Sequence, residues 1–271
     1  MKIYQRFFLS AFRYLARAAI FVISCGLLLL VHPAVTTSKT TTLVIAVEDD
    51  AAPWSQADGS GYANDLVTAA FKAAGVDVEL RVMPYARCKR MAVNGEVAAC
   101  LSMSPSSDFA GLVQLSTKPL FTCHAGYFYS VNKPPRVSRQ DDLPRNTVVG
   151  TVIGYEYPAA FEQLSQRGVI VREESPSEDV NLRKLALGRV DLALLTYNEM
   201  KSPEWLINRA GVNGKVKKTN FRAGTLKSYI GFSKKHQQGM WALDQFNKGY
   251  GAITADGTLR KLKAQWLQRL R

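Results

Sequence analysis

The sequence predicts an α/β protein of two lobes, interwoven by two chain crossings, with a cleft between them. Three observations carry that expectation. A helix, a Gly-centred turn, a buried strand and a polar loop follow one another over Pro84–Ser107, and the same plan returns about ninety residues later over 178–199. Superposing Gly95 on Gly188 puts Val97 on Val190, Leu101 on Leu194, and Ser102-Met103-Ser104 on Leu195-Thr196-Tyr197. A chain of 271 residues suits two lobes better than one core, and no loop in it is long enough to be a linker. Each repeat ends in a loop at the carboxyl end of a strand, where α/β sheets hold ligands.

Before the first lobe comes an export signal. Lys2, Arg6, Arg13 and Arg17 precede Ala18–Val31, an apolar run interrupted only by Ser24. Fourteen residues make a signal core and fall short of the roughly 20 needed to cross a bilayer. Small residues at Ala34, Thr36 and Ser38 place cleavage between 34 and 38, so the signal is expected over 1–38. Cys25 lies inside the apolar run, with four leucines still to come, which argues against a lipid-anchoring role for it. Without Cys25 an odd set remains: Cys88, Cys100 and Cys123. In an oxidising compartment that suggests one pair and one free thiol. Cys100 falls in a core strand, where a free thiol behaves as a small hydrophobe, so Cys88–Cys123 is the preferred pair.

Leu43–Val47 is apolar and β-branched, a first strand, and it opens into a loop carrying Trp54. Asp65 starts a helix whose Leu66, Ala69, Ala70 and Ala73 share a face, with Gly75 as its stop. Val76–Val82 alternates as a second strand. In the central unit Cys88, Met91 and Ala92 form the inner helical face, Asn94-Gly95 ends the helix, and Val97–Leu101 is the strand. Phe121–Val131 is long enough to leave one lobe and enter the other, and Pro134-Pro135 marks the boundary near residue 130. Thr147–Val152 is a strand leading to Gly154-Tyr155-Glu156-Tyr157-Pro158. Phe161–Gly168 is a helix, Val169–Arg172 a strand, and Ser175–Asp179 the capped start of the repeat's helix. A short helix near Trp205 and a basic segment follow, and Ser228–Ser233 is the return crossing. Two helices, Met240–Tyr250 and Leu259–Leu270, close the chain. The lobes are therefore expected over 39–128 plus 229–271, and over 129–228.

Composition excludes several classes of function. Apolar content of 47% and charged content of 21% are those of a folded globular chain. The formal charge of +13 falls to +9 without the signal's four cations. The basic residues are scattered among acids, not interleaved with aromatics, so no nucleic-acid partner is expected. His32, His124 and His236 are far apart and no zinc spacing exists, so neither a metal nor a cofactor is expected.

Several short motifs, in order, resemble the periplasmic solute-binding proteins of ABC importers, polar amino-acid type (bacterial extracellular solute-binding proteins, family 3). They are Pro53-Trp54, Gly61-Tyr62-Ala63-Asn64-Asp65-Leu66, Pro84-Tyr85-Ala86-Arg87, Asn94-Gly95-Glu96-Val97, Gly150 with Gly154, Gly188-Arg189-Val190-Asp191, Tyr229-Ile230-Gly231-Phe232, and Asp256-Gly257 with Trp266. The resemblance covers roughly 42–270. It implies the two-lobed periplasmic-binding-protein fold of type II, its first lobe built from both chain ends. It further implies a periplasmic monomer that closes on a small-molecule solute and delivers it to the membrane permease of an ABC importer.

This chain departs from the family at both charged ligand contacts. The family's carboxylate-gripping Arg is replaced by Ser107, and the Asp that holds the ammonium by Thr196, beside Tyr197. Charge-assisted hydrogen bonds are worth roughly 1.5–3 kcal/mol each. Losing two is severe against the roughly 8 kcal/mol of micromolar binding. Arg87 is the candidate replacement cation, with a surface role as the alternative. The expected lining is then Trp54, Tyr85, Arg87, Ser102, Ser104, Ser107, Tyr155, Tyr157, Thr196 and Tyr197, aromatic and hydroxylic, suited to a small polar or ring-bearing solute. No catalytic residue is assigned. A lyase resembling the periplasmic cyclohexadienyl dehydratases is one alternative, with Glu156 and Arg87 as its candidate groups; sensing for a membrane receptor is another.

Overall fold

Alternating burial makes the sheet, and helical faces cover it. In chain order the elements are β1 (Leu43–Glu48), β2 (Asp50–Ala51), β3 (Ser55–Gln56), α1 (Tyr62–Ala73), β4 (Val78–Met83), α2 (Tyr85–Asn94), β5 (Ala99–Met103), β6 (Val113–Leu115) and β7 (Phe121–Ser130). They continue as β8 (Thr147–Val152), α3 (Ala159–Gln166), β9 (Ile170–Ser175), α4 (Glu178–Ala186), β10 (Leu192–Tyr197), α5 (Pro203–Arg209), β11 (Val216–Ser233), α6 (Gly239–Ala255) and α7 (Thr258–Arg269). This computed structural model describes residues 42–270. The expected export signal and Cys25 lie outside the described residues.

Apart from a separate antiparallel pair, β2 with β3, nine strands form one hydrogen-bonded sheet, β4-β1-β5-β11-β7-β10-β8-β9, with β6 pairing on β11. Its first part is parallel where β1 meets β4 and β5, and antiparallel where β5 meets the end of β11. Its second part is parallel from β10 through β8 to β9 and antiparallel from β10 to β7. The antiparallel ribbon of β7 and β11 joins the two. Each part has its own apolar packing. Leu43, Ile45, Leu66, Phe71, Phe232 and Phe246 are buried together in the first; Tyr127, Val149, Phe161, Leu164 and Leu194 are buried together in the second.

Local chemistry explains the helix ends. The turn after α2 needs a left-handed residue, and Gly95 supplies it at φ 85° without steric cost. Ser177 accepts from the Val180 N–H at the start of α4, and Ser202 does the same for Trp205 at α5. The chain's end returns to its beginning: Trp266 on α7 donates from Nε1 to Asp65 on α1, 2.8 Å away.

Two expectations change. The basic segment before Ser228 is itself strand: β11 runs for 18 residues, with Lys217, Arg222 and Lys227 exposed while Val216, Thr219 and Ala223 are buried. The disulfide joins Cys88 to Cys100, with Cα atoms 5.5 Å apart, and among the described residues Cys123 is the free thiol, buried. The reason is packing: the inner face of α2 lies on β5, so a helix cysteine meets the strand that directly follows, within bridging distance.

Candidate functional site

A cavity of about 40 Å³ lies where the two sheet parts face each other. That is room for only a few water molecules. Strand ends supply most of its wall: Glu48 closes β1, Ser102 and Ser104 close β5, Thr196 lies at the end of β10, and Phe121 and Cys123 stand at the start of β7. Loops add Trp54, Tyr155, Glu156 and Lys201, and the first residue of α2 adds Tyr85. Glu48, Ser102, Ser104 and Thr196 stand at or just past the carboxyl ends of parallel strands, where side chains from separate elements can converge on a ligand.

Two reciprocal pairs bridge the gap. Tyr155 donates to Glu48 Oε1 at 2.5 Å, and Tyr85 donates to Glu156 Oε2 at 2.6 Å. The two phenol rings meet edge to face, 5.2 Å between centroids. Lys89, one helical turn after Tyr85, reaches Glu156 Oε1 at 3.0 Å and the Gly154 carbonyl at 2.5 Å. Gly154 is glycine for two reasons. Its φ is +81°, and a Cβ there would stand 2.9 Å from the Ala86 Cβ across the gap. On the far wall Lys201 is buried against Glu178 at 2.5 Å and donates to Thr196 Oγ1 at 2.9 Å.

These charges behave unlike surface ones. Burial raises Glu48 from 4.5 to about 8, against the opposing pull of the Tyr155 hydrogen bond and the Lys201 charge. Burial also raises Glu156, while Lys89, Tyr85 and the Ser104 N–H hold it down. Both Tyr85 and Tyr155 are pushed well up, by burial first and by their glutamates second. On the aromatic wall Trp54 stacks on Phe121 at 4.0 Å, nearly parallel. Two polar atoms of the wall residues, Trp54 Nε1 and Ser102 Oγ, are buried with no hydrogen-bond partner. Ser102 also holds a left-handed φ of 65°, which is uncommon for a residue with a side chain and recurs at sites under functional constraint.

Of the ten expected residues, Trp54, Tyr85, Ser102, Ser104, Tyr155 and Thr196 line this one cavity. The other four do not. Arg87 is exposed on the outer face of α2, because it sits two residues from Tyr85 and so points elsewhere. Ser107 is exposed in a short 3-10 turn, Ser107–Phe109. Tyr157 turns inward, accepting from the Val152 N–H within the second core. Tyr197 packs beside His124, 5.5 Å between ring centres. Sequence reasoning passed over Glu48, Lys89, Glu178 and Lys201. Two of these left a signal: Glu48 ends the first strand at its ligand-facing end, and Lys89 is four residues from Tyr85, on the same helical face. Glu178 was read only as part of a helix start, and nothing local marks Lys201 as buried.

Comparison with functionally curated proteins gave no match. Solved structures share the fold at low identity. A histidine kinase sensor domain with similarity to periplasmic binding proteins has a TM-score of 0.70 at 20% identity, covering 84% of this chain and 96% of its own. The substrate-binding protein of an amino acid ABC transporter has 0.67 at 17%, covering 84% and 99%. The ancestral amino acid-binding protein AncCDT-1, a precursor of cyclohexadienyl dehydratase, has 0.64 at 16%, covering 83% and 95%. At such identities the likeness establishes the fold, the two-lobed α/β architecture. A family model extends the likeness from fold to descent, matching residues 43–269, nearly the whole described chain. The chain therefore belongs to the bacterial extracellular solute-binding proteins, family 3.

Proposed function

We propose that this chain binds a small polar solute between its two lobes, outside the cytoplasm, and passes it to the membrane permease of an ABC-type importer. The lobes comprise 39–128 with 229–271, and 129–228; the export signal over 1–38 carries the chain to the periplasm, where it works as a monomer. The observation that carries this reading is the pair of buried, unpartnered polar atoms, Trp54 Nε1 and Ser102 Oγ, on residues lining a cavity at the meeting of the two sheets. Buried polar groups are nearly always satisfied, so such a pair on a cavity wall is what a polar guest completes. The cross-gap contacts of Tyr85, Lys89 and Tyr155 supply closing interactions, and admission of a solute requires them to part.

Thermal-shift screening against amino acids, amines, organic acids and sugars tests this. A guest at a hundred times its Kd adds about 2.7 kcal/mol. For a domain of this size that raises Tm by roughly 5–11 °C. Failure of every class to shift Tm would overturn the reading. One observation favours a second: Glu48 is a carboxyl held protonated near neutrality inside a cleft, which is what a general acid in a lyase requires. Turnover of the stabilising compound, followed by product analysis, separates the two.

A further inference from the structure

Glu156 reaches from the loop between β8 and α3 into the first sheet part, and its carboxylate is fully engaged there. Oε2 accepts from the Tyr85 hydroxyl at 2.6 Å and from the Ser104 N–H at 3.1 Å, and Oε1 accepts from the Lys89 ammonium at 3.0 Å. A cation, a hydroxyl and a backbone amide converging on two oxygens, away from water, make a complete carboxylate receptor. All three donors belong to α2 and the end of β5; the carboxylate alone comes from across the gap. We propose that Glu156 is a resident carboxylate filling the anion position of the cleft, so that the solute carries no carboxylate of its own and is instead a small amine bearing a neutral hydrogen-bond acceptor, with Glu48 as its counter-ion.

This rests on the solute-binding reading and narrows it. Three carboxyls, Glu48 buried and Glu156 and Glu178 partly so, face two ammonium groups: Lys89 on Glu156 and Lys201 on Glu178. Glu48 alone of the three forms no ion pair among the described residues; its one side-chain partner is the Tyr155 hydroxyl. With its proton in place Glu48 adds no charge, so a solute carboxylate would be a third negative group against the two ammonium groups already paired with Glu156 and Glu178, or would have to evict Glu156. With the gap closed, eviction is obstructed, because the loop at Gly154 packs so close to Ala86 that a Cβ there would stand 2.9 Å from the Ala86 Cβ. An ammonium instead draws the proton off Glu48 and pairs with the carboxylate left behind, and the stacked Trp54–Phe121 wall suits a cation. Ser102 Oγ can accept from that ammonium. Trp54 Nε1 is a donor only, so the guest must also offer an acceptor, a hydroxyl or an amide carbonyl.

The test uses matched series of probes on the wild-type protein: L-amino acids, their primary amides, the amino alcohols with the carboxyl reduced to a hydroxymethyl group, and the decarboxylated amines. At least one amide or amino alcohol is expected to bind thirtyfold or more tighter than the acid of the same side chain. An acid binding as tightly as its amide overturns the inference and leaves solute binding intact. A second arm needs no solute. In Glu156→Ala the receptor is vacated, so sodium acetate at 50 mM should raise Tm by about 3 °C over equal sodium chloride, and should not do so in the wild type. Absence of that rescue overturns the proposal, whereas rescue with no probe bound in any series upholds the carboxylate receptor and fails the solute-binding reading. Should Glu156→Ala not fold, Glu156→Gln keeps the volume and removes the charge. Its amide-over-acid preference should fall at least tenfold, and an unchanged preference overturns the proposal.

Discussion

Replacing Glu48 with glutamine should abolish the pH dependence of stability that this one side chain imposes. Burial raises Glu48 from 4.5 to about 8. Between those values the folded chain keeps a proton that the unfolded chain has released. Its contribution is therefore most favourable below about pH 4.5, falls as pH rises through the window, and is level above about 8. Each pH unit inside the window is worth about 1.4 kcal/mol. From pH 5 to 7.5 the wild type should lose about 3 kcal/mol that Glu48→Gln does not lose. The amide still accepts from Tyr155, but its new N–H₂ needs partners and costs about 1–3 kcal/mol at every pH. The variant is thus expected to be the weaker protein at pH 5 and equal or stronger at pH 7.5. Urea unfolding of both proteins at the two pH values measures this directly. The cost of the amide cancels in the comparison, so the change in the difference isolates the titration. Parallel pH profiles would refute the reasoning: they would mean that Glu48 is ionised in the fold, compensated by the Lys201 charge.

Other perturbations probe the remaining contacts. Lys89→Met leaves Glu156 buried on two neutral donors and should cost about 3 kcal/mol in denaturant unfolding; a loss under 1 kcal/mol would make the pair ornamental. Replacing both Cys88 and Cys100 with alanine opens a loop closed over a separation of 12 residues and should cost about 3 kcal/mol, with α2 loosened in hydrogen exchange. Arg87→Ala, on the exposed face of α2, should leave solute affinity within twofold of wild type by calorimetry, and a large loss would move the site. Trp54→Ala removes the ring stacked on Phe121 and a cavity-wall donor together, so affinity should fall at least tenfold while circular dichroism stays native.

Most of the fold was legible because its elements announce themselves locally. Thr147–Val152 is apolar and β-branched, and strand β8 has those same limits. Asn94-Gly95 marks the end of α2 because a left-handed residue must stand there. What escaped was structure decided by partners. The stretch Val216–Lys227 is polar and basic, and it becomes strand only by pairing with β7. Cys88 pairs with Cys100 because α2 lies across its own following strand, a matter of helix placement that spacing alone does not reveal. The site divides the same way. Aromatic and hydroxylic residues at strand ends could be named in advance, since those types at those places suit a cleft. The charged residues were fainter: Glu48 and Lys89 stand at telling places, but their burial is decided elsewhere, Glu48 being taken out of water by Tyr155, a neighbour 107 positions along the chain. Charge in a sequence defaults to the surface, and here distant contacts overrule the default.

Cys123 stands on the cavity wall as a lone thiol, shielded on all sides, its ionisation pushed up to about 12 chiefly by burial. A reagent that attacks thiolates should find it inert while the halves are shut and reactive in the moments when they part. The protein thus carries its own stopwatch. If the lobes part to admit a solute as proposed, the rate at which Cys123 is modified should report how often they do, and any guest that holds them closed should slow it in proportion to its occupancy.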